Sequence, residues 1–363
     1  MQDTNYNKEY GVLMKIAILF FLCIFFSIFS YADNAVFFTA RTYKTVSYTD
    51  TANSVPYNQT MEIKTSDIYS LLIDDTTSVI AGPILIVSSK FHDIEPYSTL
   101  IGATNGKLLF SRESFKPYKS SPYSLTPAKL YELNYTIETT SLSTSETVLV
   151  SQADSYLSKE VSLYSFYSPC ISPDGNNVMA VGVKQTNNDY QLWNFSLNGE
   201  SISKEIFTMS GSSNIFEDPI NSIDLKNISD SDSLIVFDNG NGKLFEAFTN
   251  SKEVKEISFI FAYKASLYHP RLSSDSKKIA FIRNQRELVV ADFDFTTSEI
   301  KPGTDNVIST LPLRDFDISP DGSKLLVSIY YKSSFRLGII NISDKALTIL
   351  NTNGLEPENV NWQ

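Results

Sequence analysis

Ser319-Pro-Asp-Gly-Ser-Lys-Leu-Leu-Val-Ser328 reads as a tight turn that feeds a strand. Pro320 presets φ at the second turn position, Asp321 bonds the local backbone and Gly322 supplies φ > 0. The same tetrapeptide returns at Ser172-Pro-Asp-Gly175, again ahead of an apolar run, Val178-Met-Ala-Val181. Looser copies are Ser229-Asp-Ser-Asp-Ser-Leu-Ile-Val-Phe237 and Ser273-Ser-Asp-Ser-Lys-Lys-Ile-Ala-Phe-Ile282, and the weakest is Gly102-Ala-Thr-Asn-Gly-Lys-Leu-Leu-Phe110. Each copy is followed by a second apolar run, for example Tyr190-Gln-Leu-Trp-Asn-Phe195, Glu287-Leu-Val-Val-Ala-Asp-Phe293 and Phe335-Arg-Leu-Gly-Ile-Ile340.

The turn aspartates Asp174, Asp232, Asp275 and Asp321 lie 58, 43 and 46 residues apart. Periods of that size mean blades of about four strands. The strands run apolar because a blade is packed on both faces by its neighbours. The expected fold class is therefore all-β: a β-propeller of six four-stranded blades, with five blades and a separate cap as the second choice. The regular blades fall at 98–150, 166–208, 216–258, 267–301 and 314–351, and 33–95 makes an irregular first blade. The terminal Glu358-Asn-Val-Asn-Trp-Gln363 reads as the opening strand of a blade. Paired with the N-terminal blade, it closes the ring and leaves no free edge.

The Ser-Pro-Asp-Gly turn, its apolar strand and the later Leu192-Trp193 with Asn198-Gly199 resemble the TolB-type repeat. This is a WD-like propeller repeat of exported bacterial proteins, and the match is good over 160–351. The resemblance implies a periplasmic propeller that binds another protein.

Composition fits that reading. Phe (24) and Tyr (20) are plentiful and apolar residues make up 42 % of the 363 residues, which suits half-buried strands. The net charge is −11 and no basic run occurs. That argues against a nucleic-acid partner. Residues 1–32 are read as an N-terminal extension and signal peptide: Lys15, an apolar run to Phe29, then Ser30-Tyr31-Ala32, with cleavage after Ala32. An uncleaved anchor is the alternative, and Met14 begins a better signal peptide than Met1 does, which would make residues 1–13 an over-called start. Residues 33–363 then form a single exported propeller domain, periplasmic or in the cell envelope, with no membrane span after cleavage.

A signature of catalysis is missing from the sequence. His92 and His269 are the sole histidines, too few for an ordinary imidazole metal site. Gly-x-Ser-x-Gly does not occur. Cys170 reads as a small buried hydrophobe, and after cleavage it has no Cys23 to pair with. Asp238-Asn-Gly-Asn-Gly242 falls between two strands, where it means a hairpin turn rather than a phosphate or calcium loop. The expectation is a non-enzymatic, monomeric scaffold that needs no cofactor and binds an envelope protein. Two alternatives stay open: a glycan-acting enzyme using funnel carboxylates, and a self-assembling surface protein.

Second-to-third hairpins and blade-to-blade connections share one face of a propeller, and binding groups favour such loops. The candidate interaction residues there are Tyr118, Tyr123, Phe216, Tyr263, Tyr330, Tyr331 and Phe335. Asp174, Gly175, Asp275, Asp321 and Gly322 are turn formers on the other face.

Overall fold

The computed structural model describes residues 34–50, 57–74, 77–87, 100–101, 106–112, 115–118, 121–125, 129–137, 141–147, 164–171, 177–184, 189–196, 202–212, 214–220, 222–229, 232–259 and 265–362. The signal segment, His92, Asp174, Gly175 and Tyr263 lie outside the described residues.

Six sheets form a six-bladed β-propeller. Blade 1 contains Asn34–Asp50, Tyr57–Ile73 and Val79–Val87, and its inner strand is Pro357–Trp362 from the other end of the chain. Blade 2 contains Leu100–Ile101, Gly106–Arg112, Lys129–Ile137 and Leu142–Thr147. Blade 3 runs through Tyr164–Ile171, Asn177–Lys184, Asp189–Ser196 and Ile202–Glu205. Blade 4 is Ile223–Ser229, Asp232–Asp238, Leu244–Phe248 and Glu253–Glu256. Blade 5 is Leu267–Leu272, Lys278–Arg283 and Glu287–Asp294, with an outer edge split into Glu299–Ile300 and Asn306–Ser309. Blade 6 is Leu313–Ile318, Lys324–Tyr331, Ser334–Asn341 and Leu347–Ile349.

The ring closes as the sequence suggests. Val36, Phe37 and Phe38 pair antiparallel with Trp362, Asn361 and Val360. Closure removes the two edges an open sheet would leave. The irregular start of blade 1 is a matter of length. Its second and third strands stay paired over 17 residues each, from Asn34↔Ile73 to Asp50↔Tyr57, well past the part that the inner strand covers. Lys301-Pro-Gly-Thr-Asp305 interrupts the outer strand of blade 5.

The core follows the ring. Each of six apolar clusters sits at one blade–blade seam. At the blade 2–3 seam Trp193 is wholly buried, with Tyr164 and Phe166 edge-on to it at 5.2 and 6.1 Å. Gly182 makes this possible, because a Cβ there would meet the indole at 2.7 Å.

Asp321 accepts from Ser319 Oγ at 2.6 Å and from Ser323 N at 3.0 Å. Asp275 accepts from Ser273 Oγ at 2.7 Å and from Lys277 N at 3.1 Å. Gly322 takes φ 69°. Ser274 Oγ donates to the Pro320 carbonyl, tying the turn of blade 5 to that of blade 6.

Candidate functional site

Two groups of residues stand out, and one strand connects them. The first is on the rim, on the face of second-to-third hairpins. In blade 6 that hairpin turns through Lys332 and Ser333 at φ 49° and 74°. A two-residue turn of this kind normally carries Asn-Gly, since side-chain-bearing residues resist φ > 0. The strained turn displays an aromatic group. Tyr330 is 42 % exposed and stands edge-on to Phe335 at 5.4 Å. The Arg314 guanidinium lies 3.8 Å from the centre of the Phe335 ring, a close cation–π contact. Arg314 also donates to the Pro357 carbonyl at 3.2 Å and faces Glu356 at 3.7 Å. Leu311 is 41 % exposed, and the Tyr330 N–H bonds its neighbour Pro312 at 2.8 Å. Tyr331 is half-buried, with the Lys332 ammonium 5.3 Å over its ring.

Arg314 leads along the inner strand of blade 6 into the second group, which lines the axis. Here Asp224, Asp315 and Asp317 each make the same double contact. Each accepts from the N–H of its own next residue: Leu225 at 2.9 Å, Phe316 at 2.9 Å and Ile318 at 2.8 Å. Each also accepts from an inner-strand N–H of the next blade: Leu272 at 2.7 Å, Val360 at 2.9 Å and Trp362 at 2.8 Å. Charge-assisted bonds of this type are the strong ones. These aspartates therefore staple blade 4 to 5 and blade 6 to 1.

Cations balance them. Lys226 Nζ lies 3.2 Å from Asp224 Oδ1. Arg271 Nη1 donates to Ser222 Oγ at 2.8 Å and to the Pro270 carbonyl at 3.0 Å. Burial opposes the charge on Arg271, but Asp315, Asp224 and Asp317 outweigh it and raise its pKa. Burial pushes the Asp317 carboxyl up to about 6, against the pull of Lys226 and Arg271. His269 sits at a bulge with φ 58°, its N–H held by Asp238 at 3.1 Å. Its Nε2 is 3.9 Å from Asp315 Oδ1, and 43 % of the side chain is exposed. The enclosing strands and then Arg271 push its pKa below the ordinary histidine value. It is therefore neutral at neutral pH.

The sequence-derived candidates are distributed as follows. Tyr330, Tyr331 and Phe335 share the blade 6 hairpin. Tyr118 and Tyr123 lie on a two-stranded hairpin, Phe115–Tyr118 with Ser121–Leu125, inserted between the second and third strands of blade 2. Phe216 packs inward, edge-on to Phe237 and Phe245 at 5.6 and 5.1 Å. Cys170 is buried, with Sγ 3.5 Å from the Ile223 carbonyl. The axial aspartates escape a reading of the sequence alone. Their signal is an Asp directly before an apolar residue of an inner strand, as in Asp224-Leu225, Asp315-Phe316 and Asp317-Ile318. Among the described residues, no three His, Cys, Asp or Glu side chains are grouped to hold a metal ion. No described helix is long and apolar enough to cross a membrane.

No protein-family model matches the chain, and no curated protein matches it. Solved structures do. The likeness is to TolB. The Acinetobacter baumannii TolB structure superposes with a TM-score of 0.54 at 13 % identity, over 91 % of this chain and 66 % of that one. The Pseudomonas aeruginosa periplasmic gluconolactonase PpgL gives 0.45 at 12 % identity, over 88 % of this chain and 98 % of that one. An oligogalacturonate lyase in complex with manganese gives 0.46 at 9 %, over 85 % and 84 %. At such identities the likeness is one of fold. The chain spans less than two thirds of the TolB chain it matches.

Proposed function

We propose that this protein is an exported scaffold that binds another protein of the cell envelope and is not an enzyme. The observation that carries the reading is the rim group. Leu311, Arg314, Tyr330 and Phe335 combine exposed apolar surface, aromatic rings and a guanidinium, the composition of interface hot spots. A two-residue turn with φ > 0 holds Tyr330 and Phe335 up. Export rests on the N-terminal signal pattern, and the likeness to TolB supports a scaffold without naming its partner.

The test is capture from envelope extract by the mature chain and by its Tyr330→Ala and Leu311→Ser variants. The expected result is one stoichiometric protein retained by wild type and weakened about tenfold or more by Tyr330→Ala, with unchanged thermal unfolding. Equal capture by all three proteins would remove the rim from the reading.

One observation favours a second reading. A carboxyl raised to about 6, as at Asp317, is what a general acid needs. Against it, both oxygens of Asp317 already accept backbone N–H groups. Turnover of cell-wall glycans, abolished by Asp317→Asn in a folded protein, would establish this alternative.

A further inference from the structure

The connection from blade 3 to blade 4 is a small hairpin, with Thr208 bridged to Ile215. Met209 N donates to the Asn214 carbonyl at 3.0 Å and Phe216 N to the Phe207 carbonyl at 2.9 Å. Its first strand lies parallel against the outer strand of blade 4, Thr208 beside Glu253 and Met209 beside Val254. Thr208 N and Ser210 N donate to the Lys252 and Val254 carbonyls at 3.0 and 2.9 Å. A Lys252–Glu205 ion pair adjoins this seam. The hairpin is thus an extension of the blade 4 sheet, and its second strand is the new edge.

Strand alternation sorts its side chains. Phe207 (3 % exposed) and Phe216 turn in, toward the blade 3–4 core. Ile206 and Ile215 turn out, and they are 56 % and 58 % exposed. The pattern of bonds also sorts the backbone. Because the Asn214 carbonyl and the Phe216 N–H point back to the first strand, the N–H and C=O of Ile215 point away from it. Carried on one step in an extended chain, the alternation turns those of Glu217 the same way. Among the described residues none of these four groups has a backbone partner.

We propose that this edge, Ile215–Glu217, takes an extended strand of a partner protein. Main-chain hydrogen bonds to Ile215 and Glu217 would supply the pairing, and the two isoleucines would select an apolar residue in the added strand. The exposed carboxylates of Glu217 and Asp218 at one end select Lys or Arg beside it. The same charge disfavours a second copy as the occupant, because each copy carries a net −11. The surface lies on the outer edge of blade 4 and is independent of the rim of blade 6.

The probe is a blocked, fluorescent peptide of alternating Lys and Val, titrated into the mature chain and followed by anisotropy and by amide hydrogen exchange. Saturable binding is expected, with slowed exchange at the Ile215 and Glu217 amides. The double variant Ile206→Ser/Ile215→Ser should weaken it at least tenfold. Ile215→Pro removes an outward N–H that the hairpin itself does not use, and should do the same. If either variant fails to fold, a peptide N-methylated at alternate amides gives the answer on wild type, and tenfold weaker binding is again expected. Three results would overturn the proposal. These are binding indifferent to both the variants and N-methylation, equal binding of a Glu–Val peptide, and a wild-type dimer that Ile215→Pro dissociates.

Discussion

Glu246 lies wholly buried between blades 4 and 5, and its Oε1 accepts from Ser298 Oγ at 2.5 Å. Among the described residues Oε2 has no hydrogen-bond partner. Burial pushes its pKa up to about 7, against the opposing pull of Ser298 and Lys255. The folded chain therefore holds a proton that the unfolded chain releases near pH 4.5. Stability from this group is complete below that pH and is lost as pH rises through about 7. Glu246→Gln should flatten the fall, leaving the variant more stable than wild type at pH ~8 by roughly 2 kcal/mol. Denaturant unfolding of both proteins across that range checks it, and parallel curves would refute it. Asp317 differs in that its carboxylate is used. Asp317→Asn keeps the shape but gives an N–H donor where one backbone N–H must be accepted. A loss of about 1–3 kcal/mol is expected.

Individual elements show where local chemistry suffices. The Ser319–Gly322 and Ser273–Ser276 turns adopt the bonds that their residue types prescribe. A turn is decided within four residues. The Lys332–Ser333 turn is decided the other way, by the strands on either side, which stay in register through Tyr331↔Ser334. Relieving it is therefore predicted to stabilise: Lys332→Asn with Ser333→Gly should gain about 1 kcal/mol and raise the melting temperature. The segment around Phe216 marks the limit of local reading. From the sequence, Phe216 and not Ile215 is the expected interaction residue. The hairpin's pairing with Glu253 and Val254, residues almost forty positions on, turns the phenylalanine in and the isoleucine out.

The molecule as a whole depends on a seam made by its two ends. Pro357–Trp362 completes blade 1, and Val360 and Trp362 enter the core between blades 6 and 1. Asp315 and Asp317 grip the same strand by its backbone, and Ser328 Oγ bonds the Pro357 carbonyl at 2.7 Å. Trp362→Ala should cost about 3–5 kcal/mol. Truncation before Pro357 should cost more, because it strips an inner strand and exposes the edge of Asn34–Asp50. Calorimetry would show this as loss of the single cooperative transition, and an unchanged transition would mean the seam does not hold the ring.

The sequence alone determined the repeat, the turn chemistry and the ring closure by the terminal strand. The first two are properties of periodicity and of residues close in the chain, and the third follows from an unfinished repeat at Glu358–Gln363. It also named Tyr330, Tyr331 and Phe335, neighbours that one hairpin keeps together. Tertiary structure decided the rest. It made Asp224, Asp315 and Asp317 into staples between blades, placed Arg314 over Phe335, and left the Ile215 edge open. Those pairings join residues on different strands or blades, and no local pattern encodes them. They arise only when six blades close on a common axis and each inner strand finds the next.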